Sequence, residues 1–203
     1  CLSNRPTCFM EAERTLSGHR LISVFLYTIM KKEGGRREKD ADMEAGKMKL
    51  KNVLIVVENL ECSKKFYHDL FGLEAAAVSE GNMILTEGLV LQEKKGWDSL
   101  IGRTSVCGGG AGELYFEENY MDGFLEKLKL YPEPVSCVNP VTERDWGQRV
   151  VRIADPDGHV IEVAESENSV VRRLRREGME LEAIKEKTGH PIEQVRGICG
   201  EQE

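Results

Sequence analysis

From Asn52 onward the apolar positions fall into a repeated order of short strand-like runs and one amphipathic segment. The run 52–57 is continuous and β-branched, which suits a buried strand. Asn59 can cap a helix in which Phe66, Tyr67, Leu70 and Phe71 share a face before Gly72 ends it. Short strands are predicted at 74–78, 83–86 and 89–93, with turns at Gly81-Asn82 and Glu87-Gly88. Residues 94–112 read as a loop, and Gly108-Gly109-Gly110 as a flexible linker, because no strand-to-helix junction with a following Lys makes them a phosphate loop. The order then recurs: a strand at 113–117, a helix at 121–130 turning Phe124, Leu125 and Leu128 inward, and strands at 135–141, 150–154 and 159–164. Two like segments of about fifty residues imply one internally repeated domain. The prediction is an α+β fold of two βαβββ modules over 48–165, followed by a C-terminal helical tail.

The tail, 166–203, is predicted to hold three helices: one capped by Ser169 and running through Arg176, one at 181–187, and one reaching Ile198 after the turn Gly189-His190-Pro191. The order resembles a helix-turn-helix. Residues 1–47 carry no sustained period and end in a charge-dense stretch, so they are expected to be a leader or a non-native extension, disordered, with Met48 a candidate start.

The best specified turn is Asp155-Pro156-Asp157-Gly158. Pro156 pre-sets φ for the second position of a type I turn, Asp155 suits the first, and Gly158 supplies a left-handed residue that lets the strands re-pair. Alternation beyond it puts Val160, Glu162 and Ala164 on one face, so a carboxylate is embedded among apolar and small neighbours. On the first strand of the second module, Glu113 and Tyr115 share a face, with Leu114 and Phe116 turned to the helix.

A net charge of -7 over 203 residues disfavours nucleic acid and anionic membranes as partners. The six cysteines form no close pair or cluster, which suits free thiols in a reducing cytoplasm. The longest apolar run, 21–30, is too short to span a bilayer. In the tail, Lys185 replaces the small residue usual in a DNA-reading turn, and the third helix offers Glu193, Gln194 and only Arg196 to a nucleic acid, so docking or dimerisation is the expected role. Arg172, Arg173, Arg175 and Arg176 read as a solvated helix face.

Module order, the opening 52–60 with Lys65-Phe66-Tyr67 and Leu70-Phe71-Gly72-Leu73, and the closing 155–162 together resemble the vicinal oxygen chelate superfamily over 49–165. That superfamily contains glyoxalase I, bleomycin-resistance proteins, fosfomycin-resistance transferases and extradiol dioxygenases. The resemblance implies that each module curls its mixed sheet around a small-molecule cup, with a divalent metal (Mg, Mn, Ni, Zn or Fe) held by residues of both modules; a cytoplasmic homodimer is the expected setting. Position by position it implies Glu113 and Glu162 as metal ligands and catalytic carboxylates. Asn52 stands where a ligand His is usual, and the fourth position falls near Leu91, which would exclude a metal, or Gln92, which would be a poor ligand. Neutral amides are weak ligands, so a hard ion such as Mg or Mn is favoured. Without a cation the two carboxylates should repel and at least one should titrate high.

Trp146, Gln148 and Arg149, with Tyr115 and with Trp97 on the earlier loop, suit the mouth of a pocket. The alternative is that Trp146 is core and Arg149 pairs with Glu162 or Asp157. His159 falls on the strand face opposite Glu162 and reads as an exposed turn residue, and His68, His19 and His190 lie outside the cup. The function expected is a glyoxalase-like enzyme of lyase, isomerase or dioxygenase type. The alternatives are a non-catalytic, bleomycin-resistance-like binding protein that needs no metal, and a ligand sensor with a DNA-binding tail.

Overall fold

A computed structural model describes residues 48–201, so the expectation for 1–47 lies outside the described residues. The first module comprises β1 (Val53–Val57), α1 (Leu60–Phe71), β2 (Ala75–Ser79), β3 (Asn82–Leu85) and β4 (Leu89–Glu93). After α2 (Lys94–Ile101) the second follows with β5 (Glu113–Glu118), α3 (Met121–Leu130), β6 (Ser136–Glu143), β7 (Arg149–Ala154) and β8 (Val160–Glu165). Three helices, α4 (Glu167–Arg176), α5 (Leu181–Thr188) and α6 (Ile192–Cys199), close the order. The strands form two four-stranded mixed sheets of identical connectivity, β1-β4-β3-β2 and β5-β8-β7-β6. In each, the first strand runs parallel to the last and the other pairs are antiparallel. The repeat read from the sequence is therefore a repeat of topology.

Both sheets turn one face to a shared apolar core. Val57, Leu89 and Leu91 of the first sheet and Val151, Ile153, Ile161 and Val163 of the second are buried with Phe66, Tyr67, Leu70 and Phe124 of α1 and α3. The rings of Phe71 and Phe116 lie 4.4 Å apart, joining α1 of one module to β5 of the other. The amphipathic period of α1 is anchored by Asn59, whose Oδ1 accepts the backbone N–H groups of Glu61 and Cys62 at 3.0 Å.

The structure departs from the sequence expectation at three places. Residues 94–101 form a helix rather than a loop, because Trp97, Leu100 and Ile101 recur at helical spacing and Asp98 fixes the end by accepting from the backbone and hydroxyl of Ser105 at 2.8 and 2.6 Å. The cap of α4 is Ser166, not Ser169. Ser169 instead sits in the first turn and donates from Oγ to the carbonyl of Asn119 at 2.8 Å, tying the tail to the end of β5. Gly108 does not hang free: with φ at 68° its Cα lies against the β7–β8 turn, where a Cβ would meet the carbonyl oxygen of Gly158 at 2.6 Å.

That turn also joins the modules. The Asp155 carboxylate is buried; Oδ2 accepts the Tyr67 hydroxyl of α1 at 2.8 Å, and Oδ1 accepts the backbone N–H groups of Asp157 and His159 at 3.0 and 2.8 Å. The His159 ring lies with Nδ1 2.9 Å from Oδ2. Asp157 reaches across as well, accepting from the backbone N–H of Glu58 at 3.0 Å and from Ser63 Oγ at 3.1 Å. Burial pushes the Asp155 carboxyl up, but the hydrogen bond and charge of His159, its backbone N–H and the Tyr67 hydroxyl outweigh burial and leave it below its ordinary value. His159 is raised by its hydrogen bond to Asp155, against burial, so the residue read as an exposed turn histidine is a structural one.

Removal of this network has a pH signature. Tyr67→Phe should cost about 1–2 kcal/mol and Asp155→Ala about 3 kcal/mol, since the latter strands two buried partners. The raised His159 contributes fully below its ordinary 6.5 and loses that contribution as pH rises through its folded value. The depressed Asp155 contributes fully above its ordinary 3.8 and loses it as pH falls through its folded value. The gap between wild type and Asp155→Ala in urea denaturation should be widest between these two values and narrow at alkaline pH. A gap that widens with alkalinity would contradict the network.

Candidate functional site

The face of the second sheet opposite the core carries the polar residues. Register places Tyr115, Glu162, Arg152 and Asn139 in one row across β5, β8, β7 and β6. Glu113 lies in the next row, beside Val160. Arg152 joins the two carboxylates: Nε donates to Glu113 Oε2 at 2.8 Å, and Nη2 contacts Glu162 Oε2. Arg144 approaches the same Glu162 oxygen at 3.7 Å. That oxygen is buried and takes no aligned hydrogen bond, so its charge is balanced by two nearby guanidinium groups. The hydrogen bond from Arg152 holds the Glu113 carboxyl below its ordinary value, the reverse of the shift expected for two unscreened anions. The missing ingredient was Arg152, which the hairpin register reveals: Arg152 and Glu162 stand equidistant from Asp157.

The remaining site residues divide. Tyr115, Trp146 and Gln148 line one cavity of about 200 Å³ with Glu117 and with Glu167 and His190 of the tail region. The Trp146 indole donates to Gln148 Oε1 at 3.2 Å, and Gln148 Nε2 donates to the Glu165 carbonyl at 2.8 Å, so the glutamine positions the indole. Arg149 lies outside this group. It pairs with Asp122 at 2.7 Å and with Glu165 at 3.2 Å, not with Glu162 or Asp157, because strand alternation sends it to the face opposite Arg152. Trp97 is carried on α2 and does not line the cavity. The arginine helix face is not wholly solvated: Arg173 is buried, donating from Nε to both Glu165 oxygens at 3.1 and 3.2 Å and from Nη2 to the Gly147 carbonyl.

A divalent ion needs several hard donors converging on one point. Among the described residues no three His, Cys, Asp or Glu side chains converge. Gln92 is buried and committed, accepting from Asn82 at 2.9 Å and donating to the Gly81 carbonyl at 2.7 Å. Asn52 precedes β1 beside the turn at Gly88. An ion between Glu113 and Glu162 would compete with the guanidinium of Arg152 for the same oxygens. These residues do not fit a tightly held metal.

The glyoxalase-like domain matches residues 50–168, more than half of the chain and both βαβββ modules. The chain belongs to the glyoxalase-like family. Members of this superfamily bind small molecules, commonly hold divalent metals and often form dimers. A protein of unknown function from Agrobacterium tumefaciens str. C58 is 31% identical, with 62% of this chain and 99% of that one aligned at a TM-score of 0.54. A hypothetical protein from S. aureus is 19% identical over 60% of this chain and 96% of its own, at 0.51. A lactoylglutathione lyase from Agrobacterium tumefaciens is 21% identical over 60% and 96%, at 0.47. No curated protein matches the sequence. The glyoxalase-like match ends two residues into α4, so the rest of the helical tail is an addition to the family domain. Among the described residues no helix is long and apolar enough to cross a membrane.

Arg152→Gln should destabilise this glyoxalase-like domain by roughly 2–3 kcal/mol, less than a fully buried pair because the arginine keeps partial exposure. Glu113 is depressed, so its contribution is present above its ordinary 4.5 and lost as pH falls through the folded value; the deficit of Arg152→Gln should therefore shrink on acidification. Adding Glu162→Gln should recover part of the loss, because it removes the buried charge left unpaired. Strict additivity of the two substitutions in urea denaturation would show that the residues are not coupled.

Proposed function

We propose that this glyoxalase-like protein binds a small planar cation in the cup of its second module and does so without metal-dependent chemistry. The observation that carries the reading is the guanidinium of Arg152 seated against both Glu113 and Glu162, which supplies the positive charge a catalytic ion would otherwise bring. The neighbouring cavity has the right chemistry for such a ligand. Tyr115 and Trp146, each about half exposed at 52% and 50%, offer aromatic faces, and Glu117 and Glu167 add two carboxylates with no Lys or Arg in the lining. An aromatic face attracts a cation by about 0.5–1 kcal/mol at an exposed site, and a carboxylate adds to it. The tail completes the wall through Val170, Thr188 and His190, the last with Nε2 3.7 Å from Glu167. Glu167 and these three residues give the cup a selectivity of its own, because all four come from the tail region rather than from the two modules. The reading includes a homodimer in the cytoplasm, a setting supported by the free thiols of Cys62, Cys107, Cys137 and Cys199.

A second reading, the metal-dependent lyase or dioxygenase, is favoured by one observation: Glu162 Oε2 is buried and takes no aligned hydrogen bond. It requires Arg152 to leave the two carboxylates and an ion to take its place.

The two readings separate in a fluorescence titration with 1-methylquinolinium, using Trp97→Phe so that Trp146 is the sole tryptophan. Saturable quenching is expected, unchanged by EDTA and weakened about tenfold by Glu117→Gln with Glu167→Gln, a loss of about 1.4 kcal/mol. Quenching that requires added Mg or Mn would replace the binding reading with the metal-dependent one.

A further inference from the structure

A second, larger cavity lies on the other side of β8 from the cup. Its volume is about 360 Å³, and its walls include Tyr120 and Asp122 at the start of α3, Arg149 of β7, the Glu165 carboxylate of β8, and Arg172, Arg175 and Arg176 of α4. A cavity of that size falls in the range of small-molecule sites. Four arginines around one cavity stand out in a chain whose net charge is -7. Two of them are already engaged, Arg149 with Asp122 and Glu165, and Arg175 with Glu201 at 2.8 Å. Arg172 and Arg176 form no ion pair among the described residues, although the charge of Arg176 helps hold Asp122 of the same wall below its ordinary value. They stand one helical turn apart, where like charges repel, and both are exposed. Neither guanidinium is fixed by an ion pair, so both can turn toward an anion in the cavity.

The same cavity presents a flat aromatic surface. Tyr120 lies across the first turn of α3, so close to Gly123 that a Cβ there would meet the ring carbon Cδ1 at 2.3 Å. A glycine inside a helix costs about 1 kcal/mol relative to alanine, and here it is what lets the ring lie down. Tyr120 stays 67% exposed as a residue while lining the cavity, and Gly123 packs against one side of its ring.

We propose that this cavity binds a small phosphate ester carrying a planar ring. Arg172 and Arg176 take the phosphate oxygens as guanidinium forks, and the open face of Tyr120 stacks on the ring. The two arginines lie beyond residue 168, outside the glyoxalase-like domain, and the site is independent of the cup described above.

Calorimetry of the full chain with AMP, inorganic phosphate and adenosine tests this at low salt. AMP is expected to bind more tightly than phosphate or adenosine, and its affinity to fall as salt is raised. Arg172→Gln with Arg176→Gln should weaken AMP at least tenfold, while Arg103→Gln, a surface charge elsewhere, should leave it unchanged. Gly123→Ala should lift the tyrosine ring and weaken AMP but not phosphate. Both arginines are exposed, so the double variant should keep the wild-type urea midpoint; single Arg172→Ala and Arg176→Ala variants give the same comparison if it does not. No binding of AMP, equal binding of AMP and phosphate, or wild-type affinity in the double variant would each overturn the proposal.

Discussion

The buried carboxylate of Asp155 is the interaction on which the rest of this fold depends. A buried anion is stable only when its lone pairs are filled, and Asp155 is filled from three directions: its own turn, His159, and the Tyr67 hydroxyl of the other module. The turn is therefore held in shape and docked onto α1 at once. Asp157 repeats the docking through Glu58 and Ser63. A two-module fold with a single shared core needs such polar fixing, because apolar packing alone does not choose one orientation of the modules.

Fixing the turn fixes the register beyond it, and the register decides the electrostatics of the cup. A slip by one residue would send Arg152 to the core face and leave Glu162 without a counter-charge. In the observed register, Arg152 bridges to Glu113 and approaches Glu162, with Arg144 behind it. The same parity sends Arg149 to the other face, where with Glu165 and Arg173 it pins the tail. One strand thus serves both the cup and the attachment of the added helices.

The modules, their order and most strand positions were legible in the sequence because each is specified locally: Asn59 caps, Gly72 stops, and the alternation of 159–164 turns Ile161 and Val163 to the core. The helix at 94–101 was obscured by its lysines and glycine, although Trp97, Leu100 and Ile101 carried the period. The site was harder to read for a different reason. Charge pairing across strands depends on register and on side chains far apart in sequence, so the carboxylates at 113 and 162 were visible while their counter-ion at 152 was not. His159 was read as exposed because its partner network includes Tyr67, 92 positions earlier in the chain. The arginines of α4 looked like one solvated face, yet Arg173 turns inward to the buried Glu165 and only its neighbours face the second cavity.

Under the proposed function Arg152 acts as the cation of the cup. Electron paramagnetic resonance of Mn²⁺ added to the wild-type protein and to Arg152→Gln tests it most directly, since free and bound Mn²⁺ give different spectra. If Arg152 fills that role, the wild type leaves the ion free and the variant, with Glu113 and Glu162 uncovered, binds measurably more of it. Stoichiometric Mn²⁺ binding by the wild type would contradict the claim and restore the metal-dependent enzyme.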